Sequence, residues 1–301
     1  MTIVIVDFSQ TVISAASSNP KELKIDPDNA KGLLKHMVLN MLLSWKKQFR
    51  PSKMILACDA KSYWRKKEFP HYKGHRKHAK KDADFLDWDL VFETLAEIKT
   101  ELAETFPYTV LEVPDAEADD IIGVLTEYYQ ENEFNDDGLI EEPHDIIIVS
   151  TDGDHMQLQK HRGVKQWNNT TKKFMETKNP KLSLIEKICL GDPGDNLPSI
   201  ANDESWSKSR ADNVPVRATA FKHARIQEFY DKGIAACVND REAVHWKRNE
   251  KLIDYDKIPD AIRFAIINTH KSYEVKGTKT KVYNYLMMNR MKLLLSESNN
   301  F

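Results

Sequence analysis

Four apolar residues, Ile3-Val4-Ile5-Val6, run unbroken and stop at Asp7, the pattern of a strand buried on both faces. Leu33, Leu34, Met37, Val38, Met41, Leu42 and Trp45 recur at three- and four-residue spacing ahead of Pro51, which predicts a helix from about 30 to 49. A second apolar run at 54–58 ends at Asp59 and predicts a strand. Phe85, Trp88, Phe92, Leu95, Ile98 and Leu102 predict a helix over 84–106. Residues 109–113 read as a strand halted by Pro114, residues 117–129 as a helix with Asp115 as its N-cap, and 145–150 as another strand. Strands alternating with helices predict an α/β fold, a mostly parallel central sheet flanked by helices.

After residue 180 the strand signals fade. Segments 181–190, 214–230, 258–269 and 280–295 look helical, and polar residues 191–213 read as a long loop. Asn179-Pro180 is the expected boundary between an α/β domain (1–179) and a smaller helical C-terminal domain (180–301). The acidic stretch 131–145, with Asn135, Asp136, Asp137 and Gly138, reads as a solvated loop.

Composition adds a core-forming 41% hydrophobic content and a net charge of only −2. The charge is unevenly spread. Residues 61–81 hold nine Lys/Arg against one acid, Glu68, a local +8 that leaves about −10 on the rest; such asymmetry fits a polyanion-binding segment on an acidic protein. Cys58, Cys189 and Cys237 lack metal-ligand spacing and read as reduced thiols of a cytoplasmic protein. No signal peptide is expected, and no apolar run approaches the ~20 residues that span a bilayer.

The chemistry lies in nine carboxylates in five clusters: Asp7; Asp59; Glu117, Asp119 and Asp120; Asp152 and Asp154; Asp192 and Asp195. In an open parallel sheet the carboxyl ends of the strands share one rim, where ligands bind. Acids crowded there repel and hold their protons unless a cation neutralises them. Oxygen donors suit Mg²⁺, with Mn²⁺ as substitute. Singly, each cluster has an ordinary explanation: acids favour a helix N-terminus, and Asp-Gly-Asp and Gly-Asp-Pro-Gly-Asp form turns. Jointly they point to a carboxylate metal site. His71, His75 and His78 are set aside as ligands, because Lys and Arg crowd them.

In the basic segment Tyr63, Trp64, Phe69 and Tyr72 interleave with the cations, which suits phosphate neutralisation with base stacking. A metal-assisted phosphodiester hydrolase follows: two ions about 3.5–4 Å apart would bridge the scissile phosphate, and a Lys or Arg would add charge where the transition state becomes negative.

Several strings carry a resemblance: V-D-F-S-Q at 6–10, Y-W-R at 63–65, Y-K-G-H-R at 72–76, E-A-D-D at 117–120, S-T-D-G-D at 150–154, V-K-Q-W at 164–167 and G-D-P-G-D-N at 191–196, with N-D-R-E at 239–242 and I-D-Y-D-K-I-P-D at 253–260. With them the chain resembles the 5′ nuclease (flap endonuclease) superfamily, whose core is PIN-like, and within it the T-even bacteriophage type. The resemblance implies that Asp7, Asp59, Glu117, Asp119 and Asp152 surround a first Mg²⁺, and that Asp154, Asp195 and shared Asp152 hold a second, with Asp120 and Asp192 nearby. Lys73 and Arg76 match the catalytic basic pair of a helical arch (about 61–83) that passes the 5′ strand. Arg65, Tyr72, Lys77 and Lys80 would also meet nucleic acid, Tyr72 by stacking. The Gly-rich hairpin that most relatives carry after the last acidic motif is missing, so no K⁺ site is expected, and Lys208, Arg210, Arg217, Lys222 and Arg225 would hold the duplex instead.

The implied activity is 5′→3′ exonuclease and flap endonuclease action on RNA/DNA and DNA/DNA duplexes, removing RNA primers and adjacent DNA in lagging-strand replication of a phage genome. The implied partners are duplexes with 5′ ends or flaps, a single-stranded-DNA-binding protein and a sliding clamp, with no membrane and a monomeric enzyme in the host cytoplasm. No tail that could dock a clamp is expected ahead of the first strand. Two rival readings remain. A haloacid-dehalogenase-type phosphatase needs a second Asp two residues after Asp7, where Ser9 stands. A catalytically silent DNA binder of the same fold has no use for so many mutually repelling acids.

Overall fold

The computed structural model describes residues 1–25, 27–78, 86–131 and 143–301. Among them six strands form one sheet in the order β3-β2-β1-β4-β5-β6: β1 Thr2–Asp7, β2 Lys53–Cys58, β3 Thr109–Glu112, β4 Asp145–Val149, β5 Val164–Asn168 and β6 Lys173–Met175. All pairings are parallel except β5 with β6. From β1 the chain builds outward through β2 and β3, then returns to lay β4 on the other side of β1. The ends of β1 and β4 are therefore the switch point, where an open sheet leaves a crevice.

Period-2 alternation sends Ile3, Ile5, Ile55, Ala57, Ile146 and Ile148 to one face, and Val4, Val6, Met54, Leu56 and Val149 to the other. Both faces are covered, which is why the strands read as continuous apolar runs. The first face packs on α6 (Ala118–Gln130), α7 (Pro180–Leu190), α10 (Asp240–Ile253) and α11 (Asp260–Lys271), through Ile121, Ile122, Ile188, Trp246 and Ile266. The second packs on α1 (Phe8–Ser18), α3 (Pro27–Phe49), α5 (Trp88–Thr105) and α12 (Lys279–Met288), through Val12, Leu34, Leu42, Ile98 and Leu286. No helix among the described residues is long and apolar enough to cross a membrane.

Several expectations need correction. The chain turns into α1 directly at Phe8, because Asp7 caps it by accepting the Gln10 N–H at 3.0 Å; α2 (Pro20–Ile25) follows. The cap of α6 is Glu117, not Asp115. Asp115 sits at φ 63° and is held by Lys67 and Ser62. The 191–213 stretch contains α8 (Glu204–Ala211), whereas 214–222 is not helical, and helix resumes at α9 (Ile226–Lys232). A short α4 (Trp64–Glu68) opens the basic segment and α13 (Lys292–Leu295) lies near the carboxyl end. Phe85 and most of the 131–145 stretch lie outside the described residues.

Candidate metal centre and nucleic-acid interface

Each acid is placed by a strand end or a cap. Asp7 ends β1, is almost fully buried, and has its carboxyl pushed up to about 7, by burial first and then by the Asp59 and Asp152 charges. Asp59 follows β2, and its Oδ1 accepts the Ala118 N–H at the head of α6. Asp119, in the first turn of α6, is pushed well above the usual carboxylate range by burial, then by Asp152 and, further down, Asp7. Asp152 follows β4 and caps a 3₁₀ turn, Gly153–Lys160, by accepting the Asp154 N–H at 2.9 Å. Asp7, Asp59, Asp119 and Asp152 thus share the switch-point crevice, where burial and neighbouring acid charge disfavour ionisation of Asp7 and Asp119, a local deficit of positive charge. That electrostatic deficit is what a bound divalent ion would relieve, so the donors fit one.

Sequence reasoning missed the histidine in this group. His155 is fully buried on the 3₁₀ turn, and its Nε2 lies 3.5 Å from Asp119 Oδ1. Donor atoms of Asp7, Asp119 and His155 all lie within 4.8 Å of one another. Burial holds the imidazole neutral, its pKa lowered to about 4. The only sequence signal was its place one residue after the Ser150–Asp154 string.

Two acids named as ligands are already engaged. Asp120 is fully buried; its Oδ1 accepts from Arg65 at 2.7 Å, and its Oδ2 from the Trp64 indole and the Glu117 N–H. Glu117 accepts from Arg65 at 3.0 Å and from Lys73 at 2.6 Å. Arg65, expected to meet nucleic acid, is instead buried at 2% exposure, with its Nε donating to the Leu252 carbonyl. It neutralises two acids a desolvated cavity could not otherwise hold.

The last acidic motif splits in two. Gly191, at φ 71°, ends α7 with its Cα against Pro198, where a Cβ would stand 2.4 Å from the Pro198 carbonyl carbon; only glycine makes this turn. Asp192 then faces Lys187, whose ammonium lies 3.0 Å from Asp192 Oδ2, 3.9 Å from Asp152 Oδ1 and in close contact with Asp154. Asp195, expected beside Asp154, faces the basic segment instead: Tyr72 donates its hydroxyl to it at 2.5 Å and Arg76 pairs with it at 2.8 Å. Lys187 was not foreseen; its place in the last turn of α7, five residues before Asp192, was the available signal.

The basic segment is bolted to this loop. The Lys73 N–H donates to the Asp195 carbonyl, Asn196 Nδ2 donates to the His71 and Ser207 carbonyls, and Arg76 donates to the Gly194 carbonyl. Burial disfavours charge on Lys73, but Asp195 and Glu117 more than offset it and keep the amine protonated. The Tyr72 ring is buried at 2% exposure and packs edge-on to Tyr63, so the expected base stacking is corrected to a structural role. Lys77 is exposed, and Lys80 lies outside the described residues. Lys208, Arg217 and Lys222 are exposed, whereas Arg210 lies over the Trp206 ring and donates to the Pro193 carbonyl, and Arg225 pairs with Glu242. His78 bonds the Ala211 carbonyl, and none of His71, His75 and His78 belongs to the metal-competent group above.

Residues 3–187 match the family model for the N-terminal resolvase-like domain of 5′-3′ exonucleases, and residues 178–301 match the model for the C-terminal part of T4 RNase H. Ribonuclease H of Enterobacteria phage T4 is 31% identical over 309 aligned positions, covering 99% of this chain and 95% of that protein. Solved structures share the fold: a bacteriophage T5 flap endonuclease in a pseudo-enzyme–product complex with DNA and metal ions (TM-score 0.59, 18% identity, 91% of this chain and 98% of that one), and the T5 5′-exonuclease with bound zinc (TM-score 0.58, 17% identity, 91% and 99%).

Proposed function

We propose, from the premise that this chain belongs to the 5′-3′ exonuclease family and is a nuclease, that it is a divalent-metal-dependent 5′→3′ exonuclease and flap endonuclease acting on RNA/DNA and DNA/DNA duplexes. The observation that carries this is the meeting of Asp7, Asp59, Asp119 and Asp152 at the switch point, with the Asp7 and Asp119 carboxyls raised by burial and by neighbouring acids, and Lys73 anchored beside them. The bound ions, Mg²⁺ or Mn²⁺, would activate water and neutralise the phosphate. Asp7, Asp119 and Asp152, with Asp59, would hold the first; Asp152, Asp154 and Asp192 would hold the second in exchange with the Lys187 ammonium.

The remaining residues position and neutralise. Arg65 and Asp120 fix the first turn of α6 and so the direction of Asp119. Glu117 and Asp195 hold Lys73, and Asp195 holds Arg76, where both meet the charge that gathers on the phosphate in the transition state. Lys208, Arg217 and Lys222 contact duplex phosphates on the part after residue 180, while the part before it holds the chemistry and the arch. The names of the T4 and T5 relatives, a ribonuclease H and a flap endonuclease bound to DNA, support primer removal as the role. A replication setting brings a single-stranded-DNA-binding protein and a sliding clamp as partners, with the enzyme a cytoplasmic monomer.

The test is digestion of an end-labelled nicked duplex, a 5′ flap and an RNA-primed duplex, with Mg²⁺ and with EDTA. Cleavage from the 5′ end only with Mg²⁺ is expected. Full cleavage in EDTA overturns the mechanism, and metal-independent binding without cleavage marks a silent DNA binder.

A further inference from the structure

His155 sets this acid cluster apart from a carboxylate-only site. Its Nε2 is buried and has no hydrogen-bond partner. An unpaired buried nitrogen is costly, so one facing two carboxylates calls for a reason. The other ring nitrogen is engaged: Nδ1 lies 3.0 Å from the Tyr255 hydroxyl. Tyr255 is held by its packing on Gly123 of α6, where a Cβ would stand 3.1 Å from the ring. In the tautomer whose Nδ1–H donates to Tyr255, the Nε2 lone pair faces Asp119 and Asp7. A metal-binding histidine is oriented in this way, through its second nitrogen.

The 3.5 Å separation of Nε2 from Asp119 Oδ1 also discriminates. It is long for an N–H···O bond, about 2.7–3.2 Å. It is the edge between two donors that each stand about 2.0–2.2 Å from one ion at the tetrahedral angle, and an octahedral ion would draw the pair in to about 3.0 Å. We propose that His155 is a nitrogen ligand of the ion held by Asp7 and Asp119, making this a mixed carboxylate–imidazole site that favours Mn²⁺ and later first-row divalent ions over Mg²⁺. Imidazole suits iron, nickel, copper and zinc, whereas Mg²⁺ prefers oxygen; Mn²⁺ shares that oxygen preference but is held to it less strictly than Mg²⁺. The proposal rests on the metal-dependent reading above.

The experiment uses the full chain with Mn²⁺ and no nucleic acid. Pulsed electron paramagnetic resonance reads nitrogen coupling to the bound ion, in protein with ordinary and with ¹⁵N-labelled histidine. Mg²⁺ competition measured by free Mn²⁺ gives the affinity ratio. A directly bound imidazole nitrogen is expected in the wild type, shifted by the label and lost in His155→Phe, with the Mn²⁺/Mg²⁺ preference falling about tenfold or more in that variant. Mn²⁺ bound at the acids (lost in Asp119→Asn) without nitrogen coupling overturns the histidine assignment alone, as does an unchanged preference in a folded His155→Phe. No Mn²⁺ binding overturns both this assignment and the metal reading. Thermal unfolding of metal-free His155→Phe checks its fold; if it fails to fold, the labelled wild-type spectrum decides.

Discussion

The Lys73 ammonium lies 2.6 Å from Glu117 Oε1, so the basic segment and the acid cluster are fastened by a mostly buried charge pair. Lys73 also faces Asp195 at 3.6 Å. This cation is held in place before substrate arrives, which is the condition for transition-state stabilisation without reorganisation.

Lys73→Ala should therefore cut single-turnover cleavage of a 5′-flap substrate about 100- to 1,000-fold, while affinity measured in Ca²⁺ falls by much less. Lys77, exposed on the same segment, should behave the other way in Lys77→Ala: weaker binding with near-normal chemistry. Equal losses of affinity and nothing more in Lys73→Ala would reduce the segment to a docking surface.

Arg65 answers two buried acids at once, Asp120 at 2.7 Å and Glu117 at 3.0 Å, and stacks its guanidinium over Trp64. Arg65→Ala leaves both carboxylates buried with less compensation. We expect a loss of about 3–5 kcal/mol in urea unfolding, and only partial recovery in Arg65→Lys, because an ammonium lacks the fork that also reaches the Leu252 carbonyl. A change below about 1 kcal/mol would mean that water reaches this trio.

What was legible in the sequence follows the physics of each element. The β1, β2 and β4 runs were readable because both sheet faces are covered, and their terminal acids came with them. The α1 helix was hidden because its apolar positions are interleaved with Ser and Thr, and its start depends on Asp7 acting as a cap. The α10 helix is strongly polar, and its buried face uses His245 and Asn249 beside Trp246, Leu252 and Ile253, so hydrophobic periodicity understates it. Exposed Lys165 and half-buried Asn168 around buried Gln166 and Trp167 hid β5 in the same way. The acids could be picked out of the sequence, but the pairing of Lys187 with Asp192 and of Asp195 with Arg76 depends on a loop geometry that Gly191 sets. His155 was invisible because nothing local says that a single histidine turns inward.

Acidity gives a separate test. The Asp7 carboxyl titrates near pH 7 in the folded chain, above its ordinary 3.8, because burial and Asp59 disfavour its charge. The folded state therefore binds the proton more tightly than the unfolded one, and stability falls as pH rises. In metal-free protein this contribution is whole below about pH 4 and lost as pH climbs to about 7. Melting temperature should fall across that window less steeply in Asp7→Asn than in the wild type. Parallel curves would contradict the burial of Asp7.

Lys187 fills the gap between Asp154, Asp192 and Asp152. Removing it in Lys187→Ala leaves three carboxylates without a counter-charge. Calorimetric titration with Mn²⁺ should show tighter binding at a second site, by about one order of magnitude for a lost competing charge near a protein surface. Asp154→Asn in the same background should abolish the gain. An unchanged isotherm would place the second ion elsewhere or remove it.

The last prediction concerns the duplex. Lys208, Arg217 and Lys222 are exposed and free to meet phosphates, whereas Arg210 is spent on the Pro193 carbonyl and Trp206, and Arg225 on Glu242. Each phosphate neutralised releases counterions and adds about 0.9 to the slope of log affinity against log salt. Replacing the three exposed cations together with Gln should flatten that slope by roughly 2–3 in fluorescence anisotropy on a nicked duplex. Single-turnover cleavage at saturating enzyme should stay within a few-fold, since none of the three touches the acid cluster. Arg225→Gln should leave the slope unchanged and lower stability instead, because its loss strands Glu242. If the triple variant keeps the wild-type slope, the duplex runs over another face, and the part after residue 180 serves as a buttress for the sheet rather than as a grip on DNA.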